Sequence, residues 1–232
     1  MTVWLMIGVA LFAMFVRTQS AEAPAKRADF LVLPSPGVPI SLEQVEEGPR
    51  KLQDGTYIVE KRTKIRRDSA GRLRIESDIR DDSTNSFTPY TDLIDPVAGT
   101  RLFWLGTEKV VHRMPWPKSS GGRLVLLGID QASSSEHKWK TTTENAGKRT
   151  IEEIDFDGTR TTQMAEGEPG LTYTIEQWSS DELKLIGLVS ISGPYGTHIA
   201  RIQLLSRDEP DPALFAVPSD YSIVDMKMPD QQ

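Results

Sequence analysis

The chain has 232 residues, 38% of them hydrophobic and 26% charged, a globular composition long enough for one large β domain. Its 27 basic and 33 acidic side chains leave a net charge of -6, which argues against a polyanion-binding surface and so against nucleic acid as a partner. With no cysteine, it has no disulfide, thiolate metal site, Cys nucleophile or lipid-bearing cysteine, and its stability must come from packing.

From Val3 to Val16 the chain is uncharged and nearly all apolar, about 14 residues or roughly 21 Å of helix, against the roughly 30 Å of a bilayer core. That is the length of a signal-peptide core. Ala21, Ala23 and Ala25 follow in A-x-A spacing, so residues 1–25 read as a signal peptide cleaved after Ala25, and the mature protein as periplasmic or secreted. No Lys or Arg precedes the run, while Arg17, Lys26 and Arg27 follow it. An uncleaved anchor is the alternative, and membrane contact is expected only through this segment.

Residues 26–40 carry Pro34, Pro36, Pro39 and Gly37 and read as an extended linker. A single antiparallel β domain is then expected over 41–226, followed by a disordered tail, 227–232. Its first hairpin joins strands at 41–53 and 56–67 through Asp54-Gly55, a pair suited to a two-residue turn. Asp68 to Gly71 reads as a four-residue turn. In the next strand Leu73, Ile75, Ser77 and Ile79 alternate with Arg72, Arg74, Glu76, Asp78 and Arg80. A period of two puts the apolar set on one face and the charges on a solvated one. Tyr57, Val59, Thr63 and Ile65, opposite Glu60, Arg62, Lys64 and Arg66, match it.

Further strands are expected at 91–94, 101–105, 108–114, 123–127, 150–155, 159–164, 172–178, 184–191 and 198–206, with turns at 95–99, 106–107, 157–158 and 193–196. Residues 81–90 and 130–147 read as loops or a short helix. This predicts a mostly β fold with few short helices: a curled antiparallel meander, as a half-barrel or barrel, of about eleven strands. The alternative is a two-sheet sandwich. In the closing segment, Pro210, Pro212 and Pro218 break any continuous element. Leu214, Phe215, Val217 and Tyr221 are too apolar for a free tail, so Leu214 and Phe215 should form one helical turn plugging an open end or edge of the sheet.

The phrases Leu52-Gln53-Asp54-Gly55-Thr56, Arg67-Asp68-Ser69-Ala70-Gly71-Arg72, Asp95-Pro96-Val97-Ala98-Gly99 and Glu209 to Tyr221 resemble a group of uncharacterised exported bacterial β proteins. More distantly, the strand-rich layout with Phe215, Val217, Pro218 and Tyr221 is similar to the half-barrel of periplasmic lipoprotein carriers, the LolA-like fold, and of related envelope-stress sensors. The resemblance implies export and a shared β fold and supplies no catalytic residues.

Three histidines, His112, in phase with Val110 and Met114 of its strand, His137, and His198, in phase with Ala200 and Ile202, lie outside metal spacing of one another, and no nucleophile elbow, phosphate loop, dinucleotide fingerprint or H-E-x-x-H helix is present. Asp155 to Gly158 and Asp208 to Asp211 lack the closing Glu of a calcium loop and read as turns. No catalytic residue, cofactor or metal is therefore expected. The segment richest in binding potential is Leu102, Phe103, Trp104 and Leu105, with Met114 and Trp116, either a doubly buried strand or the lining of an apolar cavity.

The expected function is noncatalytic binding of an apolar ligand, a lipid or a lipoprotein segment, on a concave sheet face. The alternative is a structural or sensory envelope protein that docks a protein partner through its charged strands.

Overall fold

The alternation of Leu73 to Ile79 and of Thr63 to Arg66 builds the centre of the sheet as expected. In the structure, a computed structural model that describes residues 32–52, 55–81, 86–116, 138–194 and 196–226, β1 (Ile40–Leu52), β2 (Gly55–Arg67) and β3 (Leu73–Asp81) form an antiparallel meander. Leu42, Ile65 and Ile75 face one another across the three strands, and one row along stand Ile40, Arg67 and Leu73. The turn between β2 and β3 closes with the Gly71 amide donating to the Asp68 carbonyl at 3.0 Å, and Gly71 takes a φ of 83° that a glycine adopts freely.

The chain runs on through β4 (Ser86–Asp95), β5 (Thr100–Leu105) and β6 (Val110–Pro115) on one side of β1. It returns on the other through β7 (Trp139–Ile151), β8 (Ile154–Ala165), β9 (Glu168–Ser180), β10 (Leu185–Gly193) and β11 (Gly196–Ser206). With β12 (Ser222–Asp225), these strands make one sheet ordered β12-β6-β5-β4-β3-β2-β1-β11-β10-β9-β8-β7. Among the described residues it is therefore a single curled sheet, open between β12 and β7, and neither a closed barrel nor a sandwich.

The main core joins Ile40, Leu42, Ile65, Leu73 and Ile94 to Ile154, Phe156, Trp178 and Ile186 from the far limb. The stretch read as a linker is seated on it from Val32 onward. Val32 is 3% exposed and bridges Leu185, the Leu33 amide donates to the Lys184 carbonyl, and the Gly37 amide donates to the Ser69 carbonyl.

Five expectations are corrected. Gly55, read with Asp54 as the first hairpin turn, lies in β2 and pairs with Leu52. Residues 150–155 are not one strand: Glu152 and Glu153 take φ of 49° and 61° and turn the chain between Ile151 and Ile154. A Glu pair gives no turn signal, since left-handed backbone costs such residues on the order of 1 kcal/mol each. Asp157-Gly158, read as a turn, lies inside β8, where the missing side chain of Gly158 makes room for the Trp178 ring; a Cβ there would sit 2.6 Å from it. Residues 139–147, read as loop or a short helix, belong to β7, and 86–90, read the same way, open β4. The apolar N-terminal run with its cleavage site, the strand read at 123–127, His137 and the C-terminal tail lie outside the described residues.

The closing segment behaves partly as expected. Pro212–Phe215 forms a 3-10 turn, capped by Asp211, whose carboxylate accepts from the Ala213 amide at 2.9 Å. That turn covers a face of β3 to β6 instead of an edge. The edge of β6 is covered by β12, which pairs with it in parallel from Ser222 against Val110 to Asp225 against Arg113. The charged face of β3 is consequently not fully solvated, because Arg74 donates to the Leu214 carbonyl at 2.6 Å and the Arg72 guanidinium lies 4.8 Å from the centre of the Phe215 ring.

Candidate functional site

Directly opposed residues of a ladder share a face, so the register of β3 to β6 settles where each candidate side chain stands. Leu102 opposes Leu93, and Trp104 opposes Thr91. On that face Trp104 (4% exposed) packs with Leu93, Val111 and Phe215 in a second, smaller core, joined by Leu102, Leu214, Val217 and Tyr221. The Trp104 and Tyr221 rings meet edge to face at 6.3 Å, and the Arg74 guanidinium stands 5.6 Å from the Trp104 ring. These two candidates are core, covered by the C-terminal segment.

Phe103, Leu105 and Met114 stand on the other face. Phe103 opposes Asp92 and His112, Leu105 opposes Tyr90, and Met114 opposes Arg101. All three are half-buried. Trp116 goes elsewhere: its amide donates to the Gly99 carbonyl at 2.8 Å, and it packs against the main core. The six candidates thus fall into three groups, with the alternation of β5 separating Leu102 and Trp104 from Phe103 and Leu105.

The sequence reading missed the groups that accompany Phe103. Arg101 donates through Nε to Asp92 Oδ1 at 2.9 Å and through Nη2 to Oδ2 at 2.6 Å, a two-pronged pair with Asp92 only 6% exposed. Burial would lower the Arg101 guanidinium, but the hydrogen bonds and charge of Asp92 outweigh it and hold the group above its ordinary value. Burial, reinforced by the Asp92 charge, pushes the Tyr90 phenol up, so it stays a neutral hydroxyl. His112 stacks on Phe103 at 5.3 Å, and Tyr90 lies 6.4 Å from Phe103. The phase of His112 with Met114 was legible; the Asp92 and Arg101 pairing was not, because it depends on which strands are neighbours.

Next to this group, along the same face, the residues change from apolar to polar. Leu42, Ile65, Ile75 and Asp92 form one row, and Gln44, Thr63, Ser77 and Tyr90 form the next. Gln44 is 4% and Thr63 6% exposed. The Gln44 amide donates to Glu46 Oε1 at 2.7 Å, whereas the buried Thr63 hydroxyl has no hydrogen-bond partner among the described residues.

Elsewhere, a shallow notch of about 240 Å³ lies at the β7 to β8 hairpin, lined by Lys148, Arg149, Thr150, Asp155, Phe156 and Asp157. The carboxylates read as turn residues are engaged locally: Asp155 accepts from the Thr150 hydroxyl and Asp208 from that of Ser206. Among the described residues, no three His, Asp or Glu side chains are grouped to hold a metal ion.

No family model and no curated protein matches the chain. Among solved structures it is similar to a LolA superfamily protein from Nitrosomonas europaea, with 10% identity and a TM-score of 0.32 over 78% of this chain and 91% of that one. It is also similar to a DUF1329 family protein from Desulfovibrio piger, with 10% identity and a TM-score of 0.31 over 77% of this chain and 90% of that one. A third match is an outer membrane lipoprotein-sorting protein domain from Vibrio parahaemolyticus, with 9% identity and a TM-score of 0.26 over 74% of this chain and 86% of that one. These matches include the LolA-like group that the sequence resembles.

Proposed function

We propose that this is a noncatalytic exported protein that holds an apolar ligand, a lipid or a lipoprotein segment, on the face of the sheet bearing Phe103. The observation that carries the reading is the half-buried group Ile75, Tyr90, Phe103, Leu105, His112 and Met114, side by side on the face whose adjoining residues are the fully buried core. Each keeps apolar surface within reach of water. Covering about 200 Å² of such surface would contribute on the order of 5 kcal/mol before the cost of association.

Docking a protein through the charged strands fits less well, since those charges are largely spent on one another. Arg62 pairs with Glu43 at 2.7 Å, Arg201 with Glu47 at 3.2 Å, and Arg160 with both Glu144 and Glu176.

Native mass spectrometry of the protein purified from the periplasm tests the reading. A copurifying lipid, lost in a Phe103→Asp variant that keeps the parent circular dichroism, is the expected result. A clean apo mass together with no uptake of added lipid would overturn it.

A further inference from the structure

We infer that the ligand held on the Phe103 face is a neutral amphiphile, an acyl chain carrying an uncharged ester, amide or hydroxyl group, and that Thr63 supplies a hydrogen bond to that group. The inference rests on the reading above and narrows its ligand class.

Two observations carry it. The first is charge balance. Asp92 neutralises Arg101 through the two-pronged pair, and Glu46 lies 3.9 Å from Lys61 on the same face. An anionic headgroup placed here would have to compete with a carboxylate already bound at 2.6 Å, and a cationic one with a guanidinium already bound. A further cation of this face, Arg67, is wholly buried and donates to three backbone carbonyls.

The second observation is the Thr63 hydroxyl itself. A buried hydroxyl without a partner costs free energy, and native proteins leave few. Thr63 sits where the apolar row of Leu42, Ile65 and Ile75 meets the polar row of Gln44, Ser77 and Tyr90. A chain lying over the half-buried Ile75 and Phe103 would bring its first polar atom to this boundary. The hydroxyl then donates to a carbonyl or accepts from a hydroxyl, and neither interaction requires a charge.

The test uses the full chain, an uncharged apolar dye (N-phenylnaphthylamine), monoolein, and oleate at a pH where it is ionised. Monoolein should displace the dye at a concentration several-fold below that needed for oleate. Thr63→Val keeps the shape and removes only the hydroxyl, so it should leave dye binding and the melting temperature at or above the parent's while weakening monoolein roughly fivefold, the worth of one neutral hydrogen bond. Dye binding with oleate equal to or tighter than monoolein, or with monoolein unaffected by Thr63→Val, overturns this inference alone. Failure of the parent to bind the dye or either lipid overturns the underlying reading as well.

Discussion

The Arg67 guanidinium donates through Nη2 to the Leu183 carbonyl at 2.8 Å, tying β2 to the turn that precedes β10. Those strands are three places apart in the sheet, ~14 Å if the sheet were flat, so the bond spans the curl of the sheet and the turn that folds over it. Nε and Nη1 of the same side chain donate to the Val38 and Leu33 carbonyls, which seats the N-terminal segment on the core. Burial lowers the group from its ordinary value to about 10, leaving it charged at neutral pH with three oxygens to satisfy it.

Replacing Arg67 should therefore be costly in a way its position in an alternating strand does not suggest. Arg67→Met strands three carbonyls and is expected to cost on the order of 3 kcal/mol or more. Arg67→Lys should recover only part of that, because an ammonium cannot reproduce the planar fork. Urea midpoints of the three proteins check the order; equality of parent and Arg67→Lys would show that charge alone suffices.

Arg74 is the second charge whose cost is tertiary. Its bond to the Leu214 carbonyl, its pair with Glu76 at 2.9 Å and its place over Trp104 predict that Arg74→Ala costs about 1–2 kcal/mol. Exposed Lys64, on the same face of β2, should tolerate Gln within about 0.5 kcal/mol. Thermal melts of both variants decide whether the C-terminal segment is docked on this face.

Truncation after Arg207 removes Phe215, Tyr221 and β12, uncovering Trp104 and the edge of β6. The shortened chain should melt lower, show a red-shifted tryptophan emission, and self-associate through the uncovered edge. A parent-like melt and monomer mass would mean that the segment is dispensable for the fold.

Glu76 supplies a pH signature. Burial would raise its carboxyl, but the hydrogen bond and charge of Arg74, then those of Arg66, outweigh this and hold it below 4.5. Its stabilising contribution is thus complete above the unfolded value and lost as the pH falls through the folded one. Glu76→Gln should be less stable than the parent at neutral pH, with the gap closing below about pH 4.5. Urea midpoints across a pH series read this directly, and a constant gap would remove Glu76 from the acid response.

Two glycines serve packing. An added Cβ would meet the Phe156 ring at 2.3 Å from Gly187 and the Trp178 ring at 2.6 Å from Gly158, and both rings are core. Gly187→Ala and Gly158→Ala should each cost about 1–3 kcal/mol by overpacking, measurable as lowered melting temperatures.

The sequence by itself determined what is local. Asp68 to Gly71 sets its own turn through a short Asp side chain and a glycine free to take positive φ, and the two-residue period of Leu73 to Ile79 chooses which face is apolar before any partner strand arrives. The phase that puts His112 with Met114 is of the same kind. What depends on distant chain was decided only by the tertiary structure. Nothing within β5 says that Leu102 and Trp104 will be sealed by Phe215 while Phe103 faces Asp92, because that follows from the neighbours of β5 and from where the C-terminal segment crosses. The turn at Glu152 and Glu153 is imposed by the pairing of β7 with β8 against the preference of both residues. Arg67 continues the apolar phase of Thr63 and Ile65, and it can be buried only because the curl brings carbonyls from Leu33, Val38 and Leu183 to one point, an arrangement that no local pattern encodes.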